Sequence, residues 1–309
     1  MLAPEPFSSV TPCKSSVPHD NGSFWSDFSR MSGAILVVGH GTRNPTGSAQ
    51  LLELVDHMRA QAPSANILGC FLELAEPLIE QAMERLHELQ TKKILVVPVL
   101  LFTAGHALLD IPDVVSRSAI RFGIEVVGQT GSLGTHPAVL TLSQVRYEEV
   151  TSLAQGNCCP PKACAKVECI FGKCEGRNLE MGRIGWAMVG RGTSEPQALA
   201  HMRQFTELRK AHLFAVRYQT GFFAGGRPDV DELLEEAARW ECDTVLVQPH
   251  LLFEGELIEQ LRTKVKIFQS RFPNKHWLIA RTLGADFKLA DVFLELARKQ
   301  IEMARTNHG

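Results

Sequence analysis

Short runs of continuous apolar residues alternate along the chain with longer segments in which apolar residues recur every three or four positions. KILVVPVLLF (93–102) is a run of the first kind, and SAQLLELVDHMRAQA (48–62) is a segment of the second. The first pattern is typical of strands buried on both faces of a parallel sheet, and the second of amphipathic helices. Their alternation predicts an α/β fold with right-handed crossovers and a doubly wound parallel sheet.

The predicted elements follow the same order in both halves of the chain. The predicted strands are 34–39, 65–74, 93–102 and 124–134 (a strand and its loop) in the first half, and 185–190, 213–221, 244–253 and 276–284 in the second. Helical patterns separate these strands, and a further helix closes each half, over 136–154 and 287–304.

The two halves also share short motifs, which indicates an internal duplication. GAILVVGHGTR (33–43) is matched by RIGWAMVGRGTS (183–194), in which Arg191 stands in place of His40. VVPVLLFTAGH ends at His106, whereas VLVQPHLLFEGEL has Glu256 or Leu257 there, depending on whether a one-residue gap is allowed. We therefore predict two similar doubly wound lobes around a cleft, one with an active site and one degenerate.

The predicted domain organisation has four parts. Residues 1–30 are rich in serine and proline and show no periodicity, so we expect a disordered tail and a structured protein that begins at Met31. The active lobe is predicted over 31–150, a cysteine-rich linker over 151–182, and the diverged lobe over 183–309. Two fused lobes form a cleft within one chain, which favours a monomer with pseudo-twofold symmetry.

Composition excludes several classes of protein. The net charge is −2 and no long basic run is present, so we expect no nucleic-acid partner. No apolar stretch reaches the roughly 20 residues that span a bilayer, and residues 1–30 contain no apolar core of a secretory signal. We therefore expect a cytoplasmic protein with no membrane partner.

Five of the eight cysteines lie in the linker. In a reducing compartment, clustered thiols suggest metal ligands rather than disulfides. The even spacing of four of them is compatible with an iron–sulfur cluster or zinc, although it lacks the C-x2-C pairs of ordinary zinc sites. The alternative is a redox-sensitive loop that binds no metal. The four candidate ligands are Cys159, Cys164, Cys169 and Cys174.

His40, Glu73 and His106 all fall at or just after predicted strand ends, where ligands bind in open α/β sheets. Each residue also has a structural alternative. His40 and His106 could be histidines with a purely structural role, and Glu73 could be a solvated or helix-capping carboxylate. Two other histidines favour structural roles: His136 as a helix cap or surface residue, and His250, aligned with Val99, as a buried or cleft-lining residue.

Together, VVGHGTR (37–43), FLELAEP (71–77), VVPVLLFTAGHALLDIP (96–112) and IEVVGQTGSLGTHP resemble the class II chelatases of the CbiX and SirB type. The resemblance is strong over 33–145, and residues 183–298 resemble the diverged repeat of the long form. It implies a lyase that inserts Co²⁺ or Fe²⁺ into sirohydrochlorin, in cobalamin or sirohaem biosynthesis. It further implies that His40 and His106 bind the metal and accept ring protons, with Glu73 assisting.

The chemistry of metal insertion fits these residue types. A neutral imidazole can ligate a metal or accept a proton near neutral pH, and two histidines with one carboxylate leave positions open for ring nitrogens. Arg43 and Arg191, in or beside the first loop of each repeat, are candidates for binding substrate carboxylates. Two other functions stay open: a regulatory metal-binding protein that uses the cysteine loop, and phosphoryl transfer through His40.

Overall fold

The computed structural model describes residues 21–102, 105–154, 182–211, 213 and 215–306. Two four-stranded parallel sheets form its centre, with strand orders β2-β1-β3-β4 and β6-β5-β7-β8. The first sheet contains β1 (Gly33–Gly39), β2 (Ile67–Phe71), β3 (Lys93–Pro98) and β4 (Glu125–Gln129). The second contains β5 (Ile184–Gly192), β6 (Ala215–Ala224), β7 (Thr244–His250) and β8 (His276–Ile279).

Helices connect the strands within each half and also flank the sheets. In the first half they are α1 (Asn21–Arg30), α2 (Pro45–Gln61), α3 (Ile79–Glu88), α4 (Gly105–Phe122) and α5 (Pro137–Ala154). In the second half they are α6 (Pro196–Lys210), α7 (Val230–Ala238), α8 (Glu256–Arg271) and α9 (Phe287–Thr306). Within the part of the chain that the structure describes, no helix combines the length and apolarity needed to cross a membrane.

Both faces of each sheet are covered, as the continuous apolar runs predict. All seven residues of β1 are buried. Ile35 and Val37 pack in a core with α2 residues, whereas Leu36 and Val38 pack in a second core with α3 and α4 residues. Successive strand side chains point to opposite faces, so a strand covered by helices on both sides must be apolar throughout. The doubly wound fold is therefore confirmed.

The two halves exchange their closing helices. Helix α9 contacts α2, β3 and β4 of the first half, whereas α5 contacts α6 and β7 of the second. The Gln300 side chain of α9 fills the space beside Gly128 in β4. From α5, Arg146 donates hydrogen bonds to the carbonyl oxygens of Thr282 and Leu283. In the sequence, α5 belongs to the first repeat and α9 to the second, but each packs on the sheet of the other repeat. One hydrophobic core consequently continues across both halves.

The prediction of a disordered tail over 1–30 is wrong for residues 21–30, which form α1. Trp25 and Phe28 are only 2% and 4% exposed and join the core that contains Ile35. Burial of two aromatic side chains stabilises a short helix whose surrounding polar residues give little sequence signal. Residues 1–20 lie outside the described residues. The ordered fold thus begins before Met31.

The predicted strands are longer than those observed. The run 93–102 forms a strand only as far as Pro98, and 65–74 only from Ile67 to Phe71. Leu100 turns back to donate a hydrogen bond to the Pro98 carbonyl oxygen at 3.1 Å. The apolar residues after each strand are therefore part of the loops at the carboxyl edge.

Candidate active site

The candidate site lies at the carboxyl edge of the first sheet, where the strand order reverses. From β1 the chain crosses to β2 on one side and later returns to β3 on the other. In open α/β sheets, ligands bind outside the carboxyl ends of the strands at such a reversal. His40 directly follows β1, and α4, which contains His106, follows β3.

His40 and Glu73 form a close pair at this edge. The Nε2 atom of His40 is 3.3 Å from Oε1 of Glu73, and the two side chains are 39% and 54% exposed. Ligand atoms about 2.0–2.2 Å from a divalent ion stand roughly 3 Å from each other, so one ion fits both atoms. Among the described residues, the buried Nδ1 atom of His40 has no hydrogen-bond partner. The pair therefore brings together an imidazole nitrogen and a carboxylate oxygen, two kinds of atom that can ligate a divalent ion.

Backbone contacts hold the two loops together. The Glu73 amide donates to the His40 carbonyl oxygen at 3.1 Å, and the Leu72 amide donates to that of Gly39 at 2.8 Å. Gly41 has φ of +98°, and a Cβ atom there would lie 1.7 Å from the Glu73 carbonyl oxygen. Only glycine allows both this backbone conformation and this approach. Gly41 is a site residue that the sequence prediction missed, although both repeats contain the glycine.

The second half has the same geometry without the same chemistry. A Cβ atom on Gly192 would lie 1.9 Å from the Ala224 carbonyl oxygen, so Gly192 matches Gly41 and Ala224 matches Glu73. Arg191 then matches His40. Gly105 begins α4 seven positions after Pro98, and Glu256 begins α8 seven positions after Pro249. The alignment therefore needs no gap. Leu257 matches His106.

The CbiX family model matches residues 34–150 and 185–300, which covers both repeats and most of the chain. The chain belongs to the CbiX family. A sirohydrochlorin cobaltochelatase of Priestia megaterium is 24% identical over 272 residues, 87% of this chain and 80% of that protein. A sirohydrochlorin ferrochelatase of Bacillus subtilis is 25% identical over 269 residues, covering 87% and 92%.

Solved structures show the same fold. The structure of SirB from Bacillus subtilis with Fe³⁺ matches with a TM-score of 0.67 and 23% identity, covering 87% of this chain and 95% of that one. The SirB structure from the subspecies spizizenii in complex with cobalt matches with a TM-score of 0.66, also at 23% identity over 87% and 95%. The long, two-repeat CbiX architecture is therefore established for this chain.

The structure describes the side chains of only some of the remaining predicted site residues of this CbiX protein. Arg43 and Arg191 are exposed, and neither side chain forms an ion pair or hydrogen bond within the described ranges. His106 lies in the first turn of α4, but its side chain lies outside the described residues. The four candidate cluster ligands also lie outside the described residues, so the iron–sulfur or zinc site stays a prediction. They are Cys159, Cys164, Cys169 and Cys174.

His136 has the capping role that the sequence favours. Its Nδ1 atom accepts a hydrogen bond from the Ala138 amide at 3.2 Å, at the start of α5. Its Nε2 atom is 3.5 Å from Oε2 of Glu295 in α9. The residue therefore joins the two exchanged helices.

His250, at the end of β7, is buried, as the sequence analysis favoured. It is 2% exposed, and its ring centroid lies 4.0 Å from that of Phe205 and 5.4 Å from that of Phe102. Burial, with a smaller contribution from the Arg209 cation, lowers the pKa of His250 to about 3. The ring is consequently neutral at physiological pH.

This burial makes stability depend on pH. An unfolded histidine has a pKa of about 6.5, so between pH 6.5 and 3 the unfolded chain binds more protons than the folded one, and acid favours unfolding. We expect His250→Val, which introduces the residue of the matching position 99, to lessen the loss of unfolding free energy over this range. Urea denaturation at a series of pH values measures the free energy of unfolding of both proteins. The same pH dependence in both proteins would contradict the assignment.

Proposed function

We propose that this protein inserts Co²⁺ or Fe²⁺ into sirohydrochlorin with release of two protons. The observation that carries the proposal is the His40–Glu73 pair, with 3.3 Å between Nε2 and Oε1, at the strand-order reversal of a CbiX fold. The named activities of the curated relatives, cobaltochelatase and ferrochelatase, support the same reaction.

The reaction exchanges two pyrrole N–H protons for one metal ion. In our proposal, His40 and His106 bind the incoming ion and accept the protons, and Glu73 orients His40 and supplies negative charge beside the ion. Nε2 of His40 and Oε1 of Glu73 lie 3.3 Å apart, so both atoms can hold one ion between them. Because only a small number of protein atoms bind the ion, coordination positions stay open for the ring nitrogens. The ion can therefore pass to the macrocycle.

Arg43 and Arg191 would bind the carboxylates at the rim of the macrocycle. Both guanidinium groups are exposed and have no acidic partner within the described residues, so each is available for a carboxylate, which a guanidinium binds in bidentate geometry. Arg43 lies in the loop after β1 and Arg191 lies near the carboxyl end of β5, so in our proposal they bind different edges of one flat substrate. The halves share one core, which supports our proposal that the active species is a monomer.

The charge of Glu73 should matter separately from its shape. We expect Glu73→Gln to slow metal insertion roughly 10- to 100-fold, because the amide keeps the size of the side chain but loses the charge that orients His40 and attracts the ion. The measurement is kcat for anaerobic metal insertion. Glu76→Gln is the matched control, since Glu76 is an exposed carboxylate of the same loop. Equal rates for the two variants would contradict the role of Glu73.

The proposed function is tested by incubating the protein anaerobically with sirohydrochlorin and either Co²⁺ or Fe²⁺, while the absorption spectrum of the ring is recorded. We expect metallation well above the rate in buffer, and the faster metal would point to cobalamin or to sirohaem biosynthesis. A rate equal to that in buffer with both metals would overturn the proposal. Covalent capture of phosphate at His40 would instead support the phosphoryl-transfer hypothesis.

A further inference from the structure

Two exposed leucines lie on the loop that carries Glu73. Leu74 has φ of +64°, the left-handed region that leucine rarely adopts, and is 47% exposed. Leu78 occupies the N-cap position of α3 and is 38% exposed. Its amide donates to Oε1 of Gln81 at 2.6 Å, but the leucine side chain has no oxygen that could accept a hydrogen bond from the first turn of the helix in return.

The matching loop of the second half has residues suited to both positions. Gly225, with φ of +68°, stands in place of Leu74, and Asp229 stands in place of Leu78. Phe71 and Phe222 confirm this alignment, because each forms an isolated bridge with the N-cap residue that follows. The Asp229 carboxylate accepts from the Glu232 amide at 2.9 Å, and the Glu232 carboxylate accepts from the Asp229 amide at 2.9 Å.

The leucines therefore cost stability at positions where this fold has better residues. A left-handed conformation is unfavourable for any residue with a Cβ atom, and an apolar N-cap leaves amide groups of the first helical turn without a partner. Departures from local preference are expected at functional sites. Leu74 directly follows Glu73, and Leu78 begins the helix that follows the same loop. The matching positions of the half that lacks the pair show neither departure.

We propose that Leu74 and Leu78 form an apolar platform that contacts one face of the tetrapyrrole ring; this inference rests on the proposed function. A tetrapyrrole has a flat, weakly polar face and a charged rim. Exposed leucine side chains gain free energy when such a face covers them. Leu74 directly follows Glu73 in the chain, so a ring that rests on it lies next to the metal-binding pair.

The test transfers the second-half residues into the first half. We expect Leu74→Gly and Leu78→Asp each to raise the Kd for metal-free sirohydrochlorin, titrated by fluorescence, roughly tenfold. Leu74→Gly relieves the strained backbone and Leu78→Asp supplies the missing cap, so each should also raise the thermal midpoint, by about 1–2 °C. Leu74→Ala removes most of the side chain while keeping a Cβ atom, and should raise the Kd without the gain in stability.

Leu89→Asp is the matched control, since Leu89 is 52% exposed at the other end of α3; we expect an unchanged Kd. A Kd equal to that of the wild type in all three platform variants would overturn the inference, as would equal weakening in the control. Failure of the proposed function is a different result: the wild type would bind the macrocycle without metallating it.

Discussion

His40→Ala is expected to lower the rate of metal insertion by roughly 10²- to 10⁴-fold, the contribution typical of a positioned acid–base group. The substitution removes a proposed metal ligand and a proton acceptor together, and it leaves Glu73 without the ring whose Nε2 atom lies 3.3 Å from its Oε1 atom. The side chain is partly exposed, so its loss should have little effect on folding. The measurement is kcat for metallation of sirohydrochlorin by Co²⁺ under anaerobic conditions.

His136→Ala is the control for this variant. His136 also faces a carboxylate, at 3.5 Å from Glu295, but it caps α5 and joins the exchanged helices. We expect it to lower the thermal midpoint slightly and to leave kcat close to that of the wild type. If both histidine variants lost activity to the same extent, His40 would have no special role.

Gly41→Ala is expected to destabilise the protein by on the order of 2–3 kcal/mol, because alanine must adopt φ of +98° and its Cβ atom would overlap the Glu73 carbonyl oxygen. Relief of that overlap must separate the loop of His40 from the loop of Glu73. Metallation by the folded fraction should therefore fall as well, by an amount similar to that for His40→Ala. Urea denaturation and kcat per folded molecule measure the two effects.

The duplication provides the control for Gly41. Gly192→Ala creates the same conflict with the Ala224 carbonyl oxygen, at φ of +77°. It does so in the half that has no counterparts of His40 and His106. We expect a similar loss of stability with a much smaller loss of kcat. If Gly192→Ala abolished metallation as completely as Gly41→Ala, the loss would reflect damage to the fold rather than to the His40–Glu73 pair.

The elements and the position of His40 could be predicted from sequence because both follow from local patterns. A continuously apolar strand such as β1 must be covered on both faces, and a residue directly after it lies at the carboxyl edge. The repeat then distinguishes His40 from Arg191 as the position at which the halves differ. Sequence similarity between the halves is thus more informative about the site than the histidine itself.

Other features depend on contacts that local patterns do not specify. The amphipathic pattern of α9 shows which helix face is buried, but the two sheets are alike, so the pattern does not show which sheet the helix covers. Burial of Trp25 depends likewise on the surrounding core. Leu74 adopts a glycine-like conformation in a loop whose preceding residues, Leu72 and Glu73, are held against the loop of His40 by backbone hydrogen bonds.

In our proposal the first half of the chain performs the chemistry, and the matching residues of the second half do not. The most direct test compares kcat for Co²⁺ insertion into sirohydrochlorin between His40→Ala and Arg191→Ala, which are equivalent positions of the two repeats. We predict that His40→Ala loses insertion almost completely, whereas Arg191→Ala keeps kcat and raises KM. Equal losses of kcat in the two variants, or full activity in His40→Ala, would contradict the account.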